Sequence, residues 1–286
     1  MLYNKVSEIM TTNLTTATVA NSIQEVVEMM VAADVGRIII THKEIPVGIF
    51  TEKDIMKRVV NSSTDPRKSP IKDVMTSPIR AVREETDIVE ALGKMIRGKY
   101  RHLLVRGRRG KIVGIVSMRR ILRLAVELGQ GMNETKTLGS LASGQALSVD
   151  QSTSVSETVE LMIEKNVASI IVSVSGKPTG IFTERDVLKR VAAMGMDTNK
   201  TQVSQVMTSP LVTMVESALI GEALAEMYRR DIRNMPVLAP GGELMGIVSM
   251  SDVLQYAAAF NIDEKVRQAW KEVAEYYDSD DQYTPG

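Results

Sequence analysis

The sequence predicts an α+β chain made of four copies of one βα unit of about 60 residues. The first observation is the segment Gly48-Ile49-Phe50-Thr51-Glu52-Lys53-Asp54, which returns as Gly180-Ile181-Phe182-Thr183-Glu184-Arg185-Asp186. Gly114-Ile115-Val116-Ser117-Met118-Arg119-Arg120 lies between them, and Gly246-Ile247-Val248-Ser249-Met250-Ser251-Asp252 follows, so the glycines at 48, 114, 180 and 246 are 66 residues apart each time. The second is Val74-Met75-Thr76-Ser77-Pro78, which recurs 132 residues on as Val206-Met207-Thr208-Ser209-Pro210. The third is alternation: copies one and three share IFTE-x-D, whereas copies two and four share GIVSM. That is the trace of a doubled unit whose pair was doubled again.

The elements read alike in each copy. A short extended segment, Thr16 to Val19 or Leu147 to Asp150, precedes an amphipathic helix. Ser22 with Glu25 makes a capping box at its start, and Ile23, Val26, Val27 and Met30 follow at helical spacing. Two apolar strands joined by a turn come next, Arg37 to Thr41 with Pro46 to Phe50, or Ala168 to Ser173 with Pro178 to Phe182. A second helix is expected from about Glu52 to Val60, and in the last copy from about Met250 to Phe260. The polar stretches Asn61 to Pro70 and Gly129 to Thr137 read as linkers. The copies are thus bounded at 3–60, 71–128, 138–194 and 203–260, leaving 261–286 as a C-terminal helix and acidic tail. So small a sheet with two helices cannot bury its apolar faces alone, so the copies are expected to pack on one another.

Composition removes several function classes. Lys+Arg and Asp+Glu balance at 35 each, so the whole chain carries no field drawing it to DNA or an acidic membrane. With no cysteine there is no disulfide, thiolate metal site or Cys nucleophile. His42 and His102 have no partner at metal-ligand spacing, so no metal site is expected. No P-loop, G-x-S-x-G or G-x-G-x-x-G occurs, and no catalytic residue or required cofactor is expected. No run approaches the ~18 apolar residues of a membrane span, and Met1 to Met10 has no apolar leader region. A cytoplasmic, non-enzymatic protein is the expectation.

The chemistry is carried by the repeated Gly-h-h-[Ser/Thr]-x-x-Asp, where h is apolar. Glycine admits a ligand or a neighbour close to the backbone. The hydroxyl stands at a helix N-terminus, where free N–H groups favour a phosphate. The aspartate, on the first turn, has two oxygens that can accept from the vicinal hydroxyls of a ribose. The same Ser/Thr-x-x-Asp is also a helix-capping box that binds nothing, and spacing alone leaves both roles open.

In motif, length and pairing the units resemble CBS domains, over about residues 3 to 260. Four in one chain are similar to the γ subunit of AMP-activated protein kinase and to stand-alone archaeal four-CBS proteins. The resemblance implies two tandem pairs in a disc-like assembly, with AMP, ADP or ATP bound in clefts between paired units. Carried over, it implies ribose contacts from Asp54, Asp186 and Asp252, hydroxyls on the phosphate side from Thr51, Thr183 and Ser249, and a lining for the adenine or phosphate end from Thr16, Ser148 and Thr213. Arg120 replaces the aspartate of copy two, and a guanidinium has no acceptor for ribose hydroxyls, so that site is expected to be empty or altered. A regulated protein partner and a homodimer are also implied. Other adenosyl ligands, S-adenosylmethionine or NAD(H), fit the same grip, and a ligand-free scaffold whose aspartates are only caps is the contrasting reading. Asp54→Asn is expected to cost little stability either way and to abolish binding only in a sensor.

Copy two is the basic one: between Ile71 and Leu128 fourteen Lys/Arg face six acids. Three readings compete: a solvated face, phosphate contacts with Arg101 and its counterpart Arg233 as candidates and His102 beside them, and a surface for nucleic acid or an acidic partner. No aromatic pattern accompanies the patch, which ranks nucleic acid last. After Phe260 the repeat ends; Asp263 to Tyr277 reads as an amphipathic helix with Val266, Ala269, Trp270 and Val273 on one face, either packed on the repeats or docking a partner.

Overall fold

In each copy a short first strand lies parallel to the middle strand, which turns back antiparallel into the third. The computed structural model describes residues 5–98, 100–121, 136–142, 146–250 and 252–253. The sheets are β1 (Thr16–Thr18), β2 (Arg37–His42) and β3 (Ile45–Thr51); β4 (Ala81–Arg83), β5 (His102–Arg106) and β6 (Ile112–Ser117); β7 (Ser148–Asp150), β8 (Ser169–Val174) and β9 (Lys177–Thr183); and β10 (Met214–Val215), β11 (Asn234–Leu238) and β12 (Leu244–Ser249). The fold class is mixed α and β in four units, as the sequence indicates. A parallel pair needs a crossover, supplied by the helices Ile23–Ala32, Ile88–Gly98, Val155–Glu164 and Ile220–Arg229. The β2–β3 turn is two residues, Lys43 and Glu44, both at positive φ (48° and 65°), which suits the twist of a tight hairpin.

The crossover helices begin where the sequence places them. Ser22 N donates to Glu25 Oε2 at 2.7 Å and Glu25 N donates to Ser22 Oγ at 3.2 Å; Ser154 and Glu157 repeat the exchange at 3.1 and 3.2 Å. Each helix still has free N–H groups in its first turn. Ile23 N finds Ser69 O at 3.0 Å and Gln24 N finds Pro66 O at 2.8 Å, while Val155 N and Ser156 N meet Thr201 O and Thr198 O at 2.9 Å. The stretch expected as a linker, Asn61 to Pro70, is therefore part of the helix cap rather than a spacer.

The second helix of copy one runs Glu52–Arg58, slightly shorter than expected, and closes with Val59 N and Val60 N both donating to Ile55 O at 3.0 Å. In copy three the counterpart is one helical turn, Glu184–Asp186, continued as a π-helix over Val187–Ala192. The rest of the last copy's helix and the expected helix and tail of 261–286 lie outside the described residues.

Sequence order does not show where the segment before each first strand packs. Thr76, ahead of the first strand of copy two, bridges to Ile49 on β3 of copy one, with N–H···O distances of 3.0 and 2.8 Å. Thr11, ahead of the first strand of copy one, bridges to Ile115 on β6 of copy two at 3.0 and 2.9 Å. In the second half Thr208 bridges to Ile181 of copy three, and Leu138 N and Gly139 N reach Ala218 O and Glu216 O of copy four at 2.8 and 2.9 Å, as Val6 N and Ser7 N reach Thr86 O and Glu84 O of copy two at 2.9 and 3.2 Å. Each leader is lent to the sibling in its tandem pair.

By packing, the chain forms two compact units, residues 14–79 with 145–212, and residues 1–13 with 80–144 and 213–286. The first holds copies one and three, whose Val26, Met30, Phe50 and Ile55 share one apolar core with Val159, Met162, Phe182 and Val187. Asp34, at positive φ after its helix, accepts from Arg185 (2.9 Å) and Lys189 of the opposite copy. At the matching turn Asn166 accepts from Lys53 (3.4 Å) and Lys57 (3.3 Å). In the other unit, Val6 and Ile9 of the first leader complete the core of copy two with Val82, Ile88, Met95 and Val116. There Arg119 pairs with Asp231 of copy four and lies 5.9 Å from the centre of the Tyr228 ring.

The Lys189 and Arg185 donors hold the Asp34 carboxyl below its ordinary pKa. A depressed folded-state value gives stability that is present above the unfolded pKa and lost as pH falls through the folded one. Asp34→Asn, which copies the Asn166 arrangement, is expected to lower stability at neutral pH by no more than about 1 kcal/mol, because the pair is exposed. Urea melts at pH 7 and pH 3 check it: the gap between variant and parent should close in acid, and a gap independent of pH would contradict the ion pair.

Candidate functional site

At the end of each third strand the repeated motif folds into one local device. Thr51 N and Thr51 Oγ1 donate to Asp54 Oδ2 at 3.0 and 2.7 Å, and Asp54 N donates back to Thr51 Oγ1 at 3.3 Å. Thr183 and Asp186 do the same at 2.9, 2.6 and 3.3 Å, and Ser249 and Asp252 at 2.7, 2.7 and 3.2 Å. This is a reciprocal capping box, so the structural role that the sequence left open is occupied in all three copies that keep the aspartate.

The glycine ahead of the box is explained by a neighbour. A Cβ on Gly48 would overlap the Met75 side chain; on Gly114 it would overlap Met10 and stand 3.1 Å from Thr11 O; on Gly180 it would overlap Met207 and stand 3.0 Å from Thr208 O. The close approach is that of the borrowed leader.

The other carboxylate oxygen separates the copies. A carboxylate offers about four lone-pair sites on two oxygens. In copy one Asp54 Oδ1 accepts from Thr76 Oγ1 of the leader at 2.9 Å and faces Arg58 at 3.4 Å. In copy three Asp186 Oδ1 accepts from Thr208 Oγ1 at 2.9 Å and faces Arg190 at 3.2 Å. Arg58 also donates to Val74 O and Met75 O at 2.8 and 2.9 Å, and Arg190 to Val206 O and Met207 O, so each arginine ties its leader to its aspartate. Both aspartates are buried, at 7% and 6% exposure, with their acceptor capacity filled. Asp54→Asn is therefore not the mild change that a simple cap implies, since an amide N–H₂ would be turned toward donors.

Copies two and four differ. Asp252 is only partly buried, and its Oδ1 has no partner among the described residues. In copy two Ser117 Oγ still accepts from Arg120 N at 3.1 Å, but the return arm of the box is missing and Arg120 is exposed. Copy two departs again at the first strand. Thr16 opens β1 opposite Ile39 and Ser148 opens β7 opposite Ile171, both exposed, and Thr213 immediately precedes β10; in copy two that place is held by Ala81, opposite Leu104. The sequence reading missed Ala81, although the register of 66 shifted by one residue would have found it.

The candidate phosphate ligands also fall at the motif end of their sheets. Arg101 directly precedes β5 and its carbonyl accepts from Met118 N at 3.0 Å; Arg233 directly precedes β11 and its carbonyl accepts from Met250 N at 3.0 Å. His102 opens β5 opposite Ser117. All three residues already have partners. Sequence reasoning did not single out Thr76, Thr208, Arg58 or Arg190, though each pair recurs at 132 residues. Among the described residues no group of three His, Cys, Asp or Glu is placed to hold a metal, and no helix is long and apolar enough to cross a membrane.

Comparison with known proteins agrees with this architecture. The CBS domain profile matches residues 6–61, 71–127, 138–193 and 203–259. CBS domain-containing protein CBSCBSPB1 of Arabidopsis thaliana is 27% identical over 283 residues, covering 85% of this chain and 52% of its own length. Protein MJ1404 of Methanocaldococcus jannaschii is 26% identical over 276 residues, covering 90% of this chain and 63% of its own. The chain spans about half the length of the curated relatives it matches. Among solved structures, protein MJ1225 of M. jannaschii, proposed as an archaeal homologue of g-AMPK, superposes with a TM-score of 0.76 over 88% of this chain and 99% of that one; its 16% identity speaks to fold alone. With four matched copies spanning most of its length, the chain belongs to the CBS domain family.

Proposed function

We propose that this protein is a non-catalytic, cytoplasmic regulator that binds AMP, ADP or ATP and passes cellular energy state to a partner protein, with copy four as its leading nucleotide grip. The observation that carries this reading is that Asp252 Oδ1, beside a formed Ser249 box, takes no partner among the described residues. One oxygen has two lone-pair sites, which match the two vicinal hydroxyls of a ribose. Ser249 holds the other oxygen and so fixes the carboxylate plane before a ligand arrives. At Asp54 and Asp186 a ribose has to displace Thr76 or Thr208, so those copies bind more weakly or act as fasteners. Copy two, with Ala81 and Arg120, contributes no ribose acceptor. A nucleotide changes the protein's state only by its differential affinity for two arrangements, and release of a leader from its aspartate is one such difference.

The filled boxes of copies one and three favour a second reading, a scaffold in which every motif aspartate is a cap. Titration calorimetry with AMP, ADP, ATP and S-adenosylmethionine separates the two. Asp252→Ala should weaken adenine-nucleotide binding at least tenfold while Asp186→Ala has a smaller effect on the tightest site. Absence of heat with every ligand on folded, ligand-free protein would favour the scaffold, and a response confined to S-adenosylmethionine would move the reading to another adenosyl ligand.

The latch has its own check. Thr76→Val removes a donor from a buried carboxylate, which should lower stability by about 1–3 kcal/mol and thus Tm by several degrees. An unchanged melt would mean the hydroxyl does not hold the leader.

A further inference from the structure

The positive charge of copy two is divided between the two ends of its sheet. Arg101, His102, Arg119 and Arg120 stand at the motif end. Arg83, Arg106, Arg108, Arg109 and Lys111 stand at the hairpin end, all exposed. From Ile112 to Ser117 along β6 the two ends are about 17 Å apart at ~3.3 Å per residue. The hairpin cluster therefore does not serve a nucleotide at the motif.

Three comparisons within the molecule show that this cluster is not required by the fold. The corresponding turns carry Lys43-Glu44, Ser175-Gly176 and Pro240-Gly241-Gly242-Glu243, with no comparable charge. Arg83 and Arg106 are register partners on adjacent strands, where the other copies pair Thr18 with Thr41, Asp150 with Ser173 and Val215 with Leu238. Like charges directly opposite each other destabilise a sheet. Arg108 lies 3.9 Å from Glu84 and 3.7 Å from Glu85, whereas Arg83, Arg106, Arg109 and Lys111 take no carboxylate partner among the described residues. Among the described residues, four of these five cations thus add no ion pair to the fold.

We propose that the hairpin end of copy two is a docking surface for an acidic segment of a partner polypeptide. An extended peptide places carboxylates on one face every second residue, about 7 Å apart, a spacing that lets them alternate with Glu84 and Glu85. Double-stranded DNA presents a phosphate every ~3.4 Å of axis on each strand with no neutral position between them, so it has nothing to set against those two glutamates. A chain of zero net charge also supplies no long-range attraction for nucleic acid. The surface is independent of what the motif binds, so its failure and that of the nucleotide reading are distinguishable.

The test uses the full chain and a fluorescein-labelled peptide of about twelve alternating Glu and Ser residues, at low salt because screening weakens exposed charges. Anisotropy should report salt-sensitive binding that Arg106→Glu, Arg109→Glu and Lys111→Glu together weaken at least tenfold. Lys68→Glu, an exposed cation of the stretch between copies one and two, should leave it unchanged, and the triple variant should retain the parent's nucleotide titration. No peptide binding, or binding that the triple variant preserves, overturns the proposal. A short DNA duplex held more tightly than the peptide through the same residues also overturns it and assigns the surface to phosphodiesters.

Discussion

The fold depends on the edge of a third strand that cannot close on itself. Each sheet has three strands, and the first is only two or three residues long, so one flank of the third strand exposes unpaired backbone groups. Such edges are hazards unless covered. Cover comes from a leader whose Thr forms a two-bond bridge and whose Met fills the space above Gly48, Gly114 or Gly180. The glycine, the Met-Thr pair and the exchange between siblings all follow from this one contact.

The same contact decides how the motif is read. Gly-h-h-[Ser/Thr]-x-x-Asp can be a nucleotide grip or a cap, and a single strand and helix cannot discriminate between them. The leader does: it brings Thr76 to Asp54 and Thr208 to Asp186, filling the acceptors a ribose would use. Arg58 and Arg190, one helical turn beyond, bind both the aspartate and the leader carbonyls. Copies one and three hold a carboxylate whose second oxygen is taken by the leader, whereas in copy four Asp252 Oδ1 takes no partner among the described residues. The resulting asymmetry is finer than the repeat itself.

The sequence made legible whatever is local and repeated. The capping boxes at Ser22 and Ser154, the hairpins and the middle strands follow from hydrophobic period and turn residues. The partners that decide the site are separated by 22 residues, as Thr76 is from Asp54, or meet across copies, as Asp34 meets Arg185. A fixed step of 66 is consistent with a leader packing on its own copy or on its sibling, so periodicity could not choose. The Gly48 requirement was visible, but its cause was open between ligand and neighbour until Met75 was seen above it. Ala81 was legible in principle and escaped because the hairpins differ in length by one residue.

The exchange of leaders also bears on the ancestry of the chain. A single copy cut at its sequence limits carries a leader meant for its sibling and lacks the one that covers its own edge. A single copy alone therefore leaves the edge of its third strand uncovered. The tandem pair is the smallest stretch of sequence that contains both a copy and the leader that covers its edge. That is why copy one resembles copy three and copy two resembles copy four more than immediate neighbours resemble each other.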